Sequence, residues 1–181
     1  QALASILELL RDQKEEYVVM SDANIAVNFD FSAMLQAHIE SGADVTVAYK
    51  EEELADSLKN LDIMKEDFFY TLALEGDRVK KIYVNSEESG PQKLSMNIYI
   101  LKRELDLVHT AFVRGYVYFE RDILAHRLDK LNVKAYRFDG YLARITDMKS
   151  YFDENMKLLE DENLDALFNP NPIYTKIGFG L

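Results

Sequence analysis

The sequence predicts an α/β domain, and three observations predict it. Strand, helix and strand patterns follow one another between Tyr17 and Tyr49, the order of a βαβ unit. The turn Glu75-Gly76-Asp77-Arg78 separates two apolar runs, as in a hairpin. Hydrophobic residues make up 48% of the 181 residues, with 10 Phe and 11 Tyr, which is enough apolar mass to fill a core. The length corresponds to one domain, or one domain and a tail.

The elements can be read in order. Leu3, Ile6, Leu7, Leu9 and Leu10 recur at helical spacing over residues 1–11, with no capping residue before Ala2. An uncapped start is expected of a cut chain. Tyr17-Val18-Val19-Met20 is a continuous apolar run, expected to form a buried, parallel strand. Ser21-Asp22-Ala23-Asn24 is turn chemistry. Asp30 is placed to cap a helix that runs to Ile39 and closes on Gly42. Residues 45–49 form the next strand. The charged stretch 51–61 reads as a loop with a helical turn. Residues 68–74 and 79–84 are the hairpin strands, and 85–93 is a polar loop containing Gly90-Pro91. Residues 94–101 form a strand, 105–113 and 119–131 helices, and 133–138 a strand ending at Asp139-Gly140. Asp147 caps a helix expected to reach Leu159, and residues 161–165 read as its solvated end. Asn169-Pro170-Asn171-Pro172 breaks the chain, and 173–181 is extended.

Composition excludes several classes. There is no Cys, so disulfides, thiolate metal sites and a Cys nucleophile are ruled out. No apolar run reaches the ~20 residues of a membrane-spanning helix, and residues 1–11 lack the basic flank and cleavage site of a signal peptide. A cytoplasmic location is expected. The net charge of −11 speaks against nucleic acid, since Lys80-Lys81 and Lys102-Arg103 are isolated pairs and not a basic patch. The three histidines, His38, His109 and His126, lie in helical patterns without a second ligand spaced for zinc.

One residue stands out by position. In open α/β sheets, ligands sit beyond the carboxyl ends of parallel strands. Asp22 directly follows an apolar strand, and an acid there can hold Mg²⁺ against phosphates. The plainer alternative is a turn or cap residue.

A longer series then forms a recognisable pattern. It comprises Tyr17-Val18-Val19-Met20-Ser21-Asp22, Asp30-Phe31, Met34-Leu35, His38 and Gly42-Ala43-Asp44-Val45-Thr46. It continues with Ser95-Met96-Asn97-Ile98-Tyr99-Ile100 and Tyr136-Arg137-Phe138-Asp139-Gly140-Tyr141. Ser150-Tyr151-Phe152, Asn155-Met156-Lys157-Leu158-Leu159 and Pro172-Ile173-Tyr174-Thr175 close it. Over nearly the whole chain this resembles the glucose-1-phosphate adenylyltransferase family. Its local variants look most like the D-type regulatory, non-catalytic subunit of bacterial glycogen biosynthesis.

The resemblance implies a Rossmann-like, mixed-sheet sugar-nucleotidyltransferase fold followed by a left-handed β-helix. It implies a reaction of ATP with glucose 1-phosphate, giving ADP-glucose and pyrophosphate with Mg²⁺ as the cofactor. It further implies that residues 1–168 are the C-terminal part of a nucleotidyltransferase-like domain and 169–181 a linker. The N-terminal phosphate loop and the β-helix would lie outside this sequence. Substrate contacts are expected at Ser95, Asn97, Asp139 and Tyr141, with Asp22 as the residual metal-type carboxylate.

Departures from the family pattern are as informative. Family members with activity carry Gly-Asp-His after the first strand, where this chain has Ser21-Asp22-Ala23. A second metal-binding Asp is replaced by Arg144, and a cation there would repel Mg²⁺. A sugar-phosphate Lys aligns with Glu88, and the Gly expected after Ser95-Met96 is Asn97. Metal, sugar phosphate and close backbone approach are thus all altered. The expected role is a catalytically impaired subunit that supports a catalytic partner in a hetero-oligomer. The alternative is a module that senses a sugar phosphate or nucleotide without turnover.

Overall fold

The computed structural model describes residues 14–54, 58, 68–103, 118–169 and 171. The helices expected over 1–11 and 105–113, most of the stretch 55–61, and residues 172–181 lie outside these. The chain divides into two units, residues 1–22 with 32–138, and residues 23–31 with 139–181.

The first unit is built on a mixed, six-stranded sheet. In chain order its strands are β1 (Tyr17–Ser21), β3 (Val45–Glu52), β4 (Tyr70–Glu75), β5 (Arg78–Val84), β6 (Gln92–Lys102) and β7 (Val133–Arg137). Across the sheet the order is β1-β6-β3-β7-β5-β4. The β3–β7 pair is parallel and the other pairs are antiparallel. A single further pairing, Thr71 with Leu94, brings β4 back onto β6. The α/β class expected from the sequence is therefore present, with a mixed sheet.

Tyr17-Val18-Val19-Met20 was expected to be a buried parallel strand. Among the described residues it pairs only with β6, antiparallel, and its side chains are half-buried or exposed. A short apolar run carries no direction, because direction is set by the partner. That partner, β6, comes from far along the chain and lies between β1 and β3, which still run the same way.

Helix α1 (Phe31–Ser41) starts one residue after Asp30. It ends where Gly42 takes φ +61, and Gly42 and Ala43 donate their N–H groups to Ile39 and His38 carbonyls at 3.1 and 3.4 Å. A left-handed residue closing a helix in this way is the normal use of Gly. The hairpin is also as expected: Glu75 pairs with Arg78, and Gly76 turns the chain at φ +61.

The core beneath the sheet joins Val45, Val47 and Tyr49 of β3 to Tyr70, Leu72, Val79, Ile82, Tyr99, Leu101 and Val133. Ile123 and Leu124 cap it from a π-helical segment, Phe119–Leu124. The sequence reads an α-helix there, over 119–131. The structure instead widens the first turns, with Ala125 N–H donating to Glu120 O at 2.8 Å, and continues as turns. Such single-turn π segments are rare and often occur at functional sites.

The second unit contains a two-stranded antiparallel ladder, β2 (Ile25–Val27) on β8 (Leu142–Arg144). Neither strand is visible in the sequence, because three residues are too few to show alternation. Asp147 caps α2 (Met148–Lys157) through a capping box: its carboxylate accepts from Ser150 N, and Ser150 Oγ accepts from Asp147 N. α2 closes before Leu159. Residues 161–165, expected as its end, open a separate helix, α3 (Asp161–Phe168). Buried Asn28 donates to the carbonyls of Leu167 and Asn171, both at 2.9 Å, which fixes the chain after α3. Among the described residues no helix is long and apolar enough to cross a membrane.

Candidate functional site

The site begins with an irregularity in β6. Between the pairs Tyr49–Ser95 and Val47–Tyr99, β3 advances two residues while β6 advances four. The surplus forms a bulge, and Asn97 within it takes φ +53. This left-handed conformation disfavours most side chains, with Asn and Gly the residues that accept it. Asn97 stands at the position where the sequence pattern suggested Gly, and the backbone there supplies the reason for that choice.

Two side chains hold the bulge from inside. Ser95 is buried; its hydroxyl donates to Glu120 Oε1 at 2.6 Å and accepts from Asn97 N–H at 3.1 Å. Glu120 is buried as well, on the π-helical segment. Burial, and then the Glu120 charge, push the Tyr99 hydroxyl well above its ordinary pKa. The same two causes raise Tyr70. Both phenols are therefore hydrogen-bond donors at any physiological pH.

On its outer side the bulge reaches Asp22. Asn97 donates Nδ2 to Asp22 Oδ2 at 2.5 Å, and Asp22 N–H donates to Asn97 O at 3.2 Å. A chain of contacts thus runs from buried Glu120 through Ser95 and Asn97 to the exposed Asp22 at the end of β1.

The structure therefore brings together Asp22, Ser95 and Asn97 from the residues selected by sequence. Ala23 follows Asp22 on the surface. Glu88 lies in the exposed loop before β6, where its carbonyl accepts from the Gln92 side chain. Asp139, Tyr141 and Arg144 belong to the second unit. There the Tyr141 hydroxyl donates to Glu154 Oε2 at 2.8 Å, and burial followed by that carboxylate raises its pKa. Lys157 pairs with the other oxygen of Glu154 at 2.6 Å. Arg144 lies on β8, in register with Ile25. Asp139 is exposed just after β7.

Glu120 was missed by sequence reading. The signal was an acid inside the apolar pattern Phe119, Ile123, Leu124, where a solvated face would be expected. His38 is buried, with Nδ1 2.7 Å from Thr46 Oγ1.

Asp22 offers a divalent cation one carboxylate, with Oδ2 already engaged by Asn97. Among the described residues, no three His, Asp or Glu side chains form a cation-binding group. Asp22 is one of the two acids that the family pattern implies for Mg²⁺, and the other position is Arg144.

No protein-family model matches the chain. Individual proteins do. The chain is 30% identical over 148 residues to a protein of Thermomicrobium roseum named glucose-1-phosphate adenylyltransferase, covering 78% of this chain and 32% of that protein. Proteins with the same name from Clostridium novyi and Shewanella baltica are 26% and 25% identical over 161 and 186 residues. Those alignments cover 86% and 93% of this chain, and 40% and 43% of the relatives. The chain spans about a third to two-fifths of the length of these curated relatives.

Proposed function

We propose that this chain is part of a glucose-1-phosphate adenylyltransferase subunit of the regulatory D type, catalytically silent or feeble, which supports a catalytic partner subunit. The relatives carry the first half of this reading. In their reaction an oxygen of glucose 1-phosphate attacks the α-phosphorus of ATP, and pyrophosphate leaves with the electrons of the broken α–β bond. That chemistry relies on cations to neutralise the phosphate oxygens.

The Asp22 carboxylate carries the second half. It is the one strand-end acid of the expected metal pair that the sequence keeps, and it is held by the Asn97 amide at 2.5 Å. The expected second acid is Arg144, and the expected sugar-phosphate Lys is Glu88. In this reading Ser95 and Glu120 hold the β6 bulge in shape, and Asp22 remains available to hydrogen-bond sugar or ribose hydroxyls. A subunit that keeps one such carboxylate and lacks its metal partner can bind and signal without driving phosphoryl transfer. Residues 1–168 then belong to the nucleotidyltransferase-like part and 169–181 to a linker, and the assembly is a cytoplasmic hetero-oligomer.

The test uses the full-length subunit, with ATP and glucose 1-phosphate titrated separately in a calorimeter. ADP-glucose formation is then assayed with and without the catalytic partner. The expected result is no turnover alone, and altered turnover or effector response in the mixture. Turnover by the subunit alone, or a partner indifferent to mixing, overturns the reading. Binding without turnover and without any effect on a partner would instead identify a sensing module.

A further inference from the structure

An exposed carboxylate at a strand end is the kind of group that holds a divalent cation against phosphate. The surroundings of Asp22 point the other way. Asn97 donates Nδ2 to Oδ2 at 2.5 Å. The amide is aimed by its own backbone, which sits at φ +53 and accepts the Asp22 N–H at 3.2 Å. That backbone is in turn tied from within, since Asn97 N–H donates to Ser95 Oγ at 3.1 Å and Ser95 donates to buried Glu120 at 2.6 Å.

We infer that Asn97 is a built-in latch: its amide occupies the Asp22 oxygen that a divalent cation would take, and the Ser95–Glu120 brace keeps it there. An amide N–H presents partial positive charge to the carboxylate, so it satisfies the same oxygen that a metal would. Because the amide is pre-aimed, it engages Asp22 without the ordering cost of a free side chain. A cation drawn to Asp22 Oδ2 competes with that amide, and finds no group of three acidic or His ligands among the described residues. The latch rests on the reading of a silent subunit for its meaning. Its test reads metal at Asp22 and not turnover, so the two can fail separately.

The experiment uses the full chain, ¹⁵N-labelled, with Mn²⁺ added alone. Paramagnetic broadening of the Ser21, Asp22 and Ala23 amide signals reports local occupancy. Four proteins are compared: wild type, Asn97→Gly, Asn97→Asp and Asp22→Asn. Gly accepts φ +53 without strain, and Asp is isosteric with Asn and tolerates the same backbone. Wild type is expected to broaden no more than Asp22→Asn. Asn97→Gly is expected to reach half-broadening at about tenfold lower Mn²⁺, the worth of one hydrogen bond to a charged group. Asn97→Asp, which adds a second carboxylate, is expected to need less Mn²⁺ still. Wild type broadening at the same Mn²⁺ as Asn97→Gly, with Asp22→Asn abolishing it, overturns the latch. So does a set in which neither Asn97 variant exceeds Asp22→Asn. If Asn97→Gly fails to fold, Asn97→Asp carries the comparison alone.

Discussion

Ser95 donates its hydroxyl to Glu120 across 2.6 Å, joining β6 to the π-helical segment at a point where both side chains are buried. A buried carboxyl deprived of a donor costs about 1–3 kcal/mol. Ser95→Ala is therefore expected to lower stability by that amount in urea denaturation. With Glu120→Gln, the double variant should be more stable than the sum of the singles implies, because the two groups share one bond. Additivity within about 0.5 kcal/mol would show that the bond contributes nothing.

His38 should make stability depend on pH near neutrality. Its ring is buried, packs edge-on against Tyr17 with centroids 5.3 Å apart, and lies 2.7 Å from Thr46 Oγ1. Burial lowers its pKa from 6.5, nearby Lys102 lowers it further, and Asp44 opposes them. The unfolded chain therefore binds the proton first as pH falls. Stability is retained above the unfolded value, falls as pH drops below about 6.5, and levels off once the folded ring also protonates. His38→Gln should flatten the slope between wild-type stabilities measured at neutral and mildly acidic pH. Identical slopes in the two proteins would remove His38 from the account.

The end of α1 depends on one backbone conformation. Gly42 sits at φ +61, and a Cβ added there would meet nothing within 4 Å. Space is therefore no obstacle, and the whole cost of a side chain is conformational. Gly42→Ala should destabilise by about 1 kcal/mol, and Gly42→Asn by less, since Asn tolerates the left-handed region. Equal stability for Ala and Gly in thermal unfolding would contradict the assigned geometry.

On the second unit, α2 shows an apolar stripe to solvent. Met148 is 79% exposed, Phe152 61% and Leu159 73%, with Tyr151 and Met156 beside them. Met148, Tyr151, Phe152 and Met156 fall on one face of α2 by their spacing of three and four residues, and Leu159 follows just beyond its end. Such a patch binds hydrophobic dyes and promotes association. Phe152→Ser combined with Leu159→Ser is expected to reduce dye fluorescence and shift light scattering toward smaller species. Unchanged fluorescence would mean that the stripe is covered in solution.

The features legible in the sequence share one property: they are settled within a few residues. The Gly76 turn, the Gly42 helix end and the Asp147 cap each involve backbone groups at most four positions away, so residue type alone predicts them. The position of Asp22 after an apolar run was legible for the same reason. The parts that sequence misread depend on distant partners. The direction of β1 is set by β6, and the outline of a strand–helix–strand unit gives no hint that β6 lies between β1 and β3. Asp22 meets Asn97 across 75 positions of chain, and Ser95 meets Glu120 across 25. Local pattern determined which elements this protein forms and which acid stands at a strand end. Tertiary structure decided what that acid touches, because pairing between distant segments depends on burial and geometry that no short stretch of residues encodes.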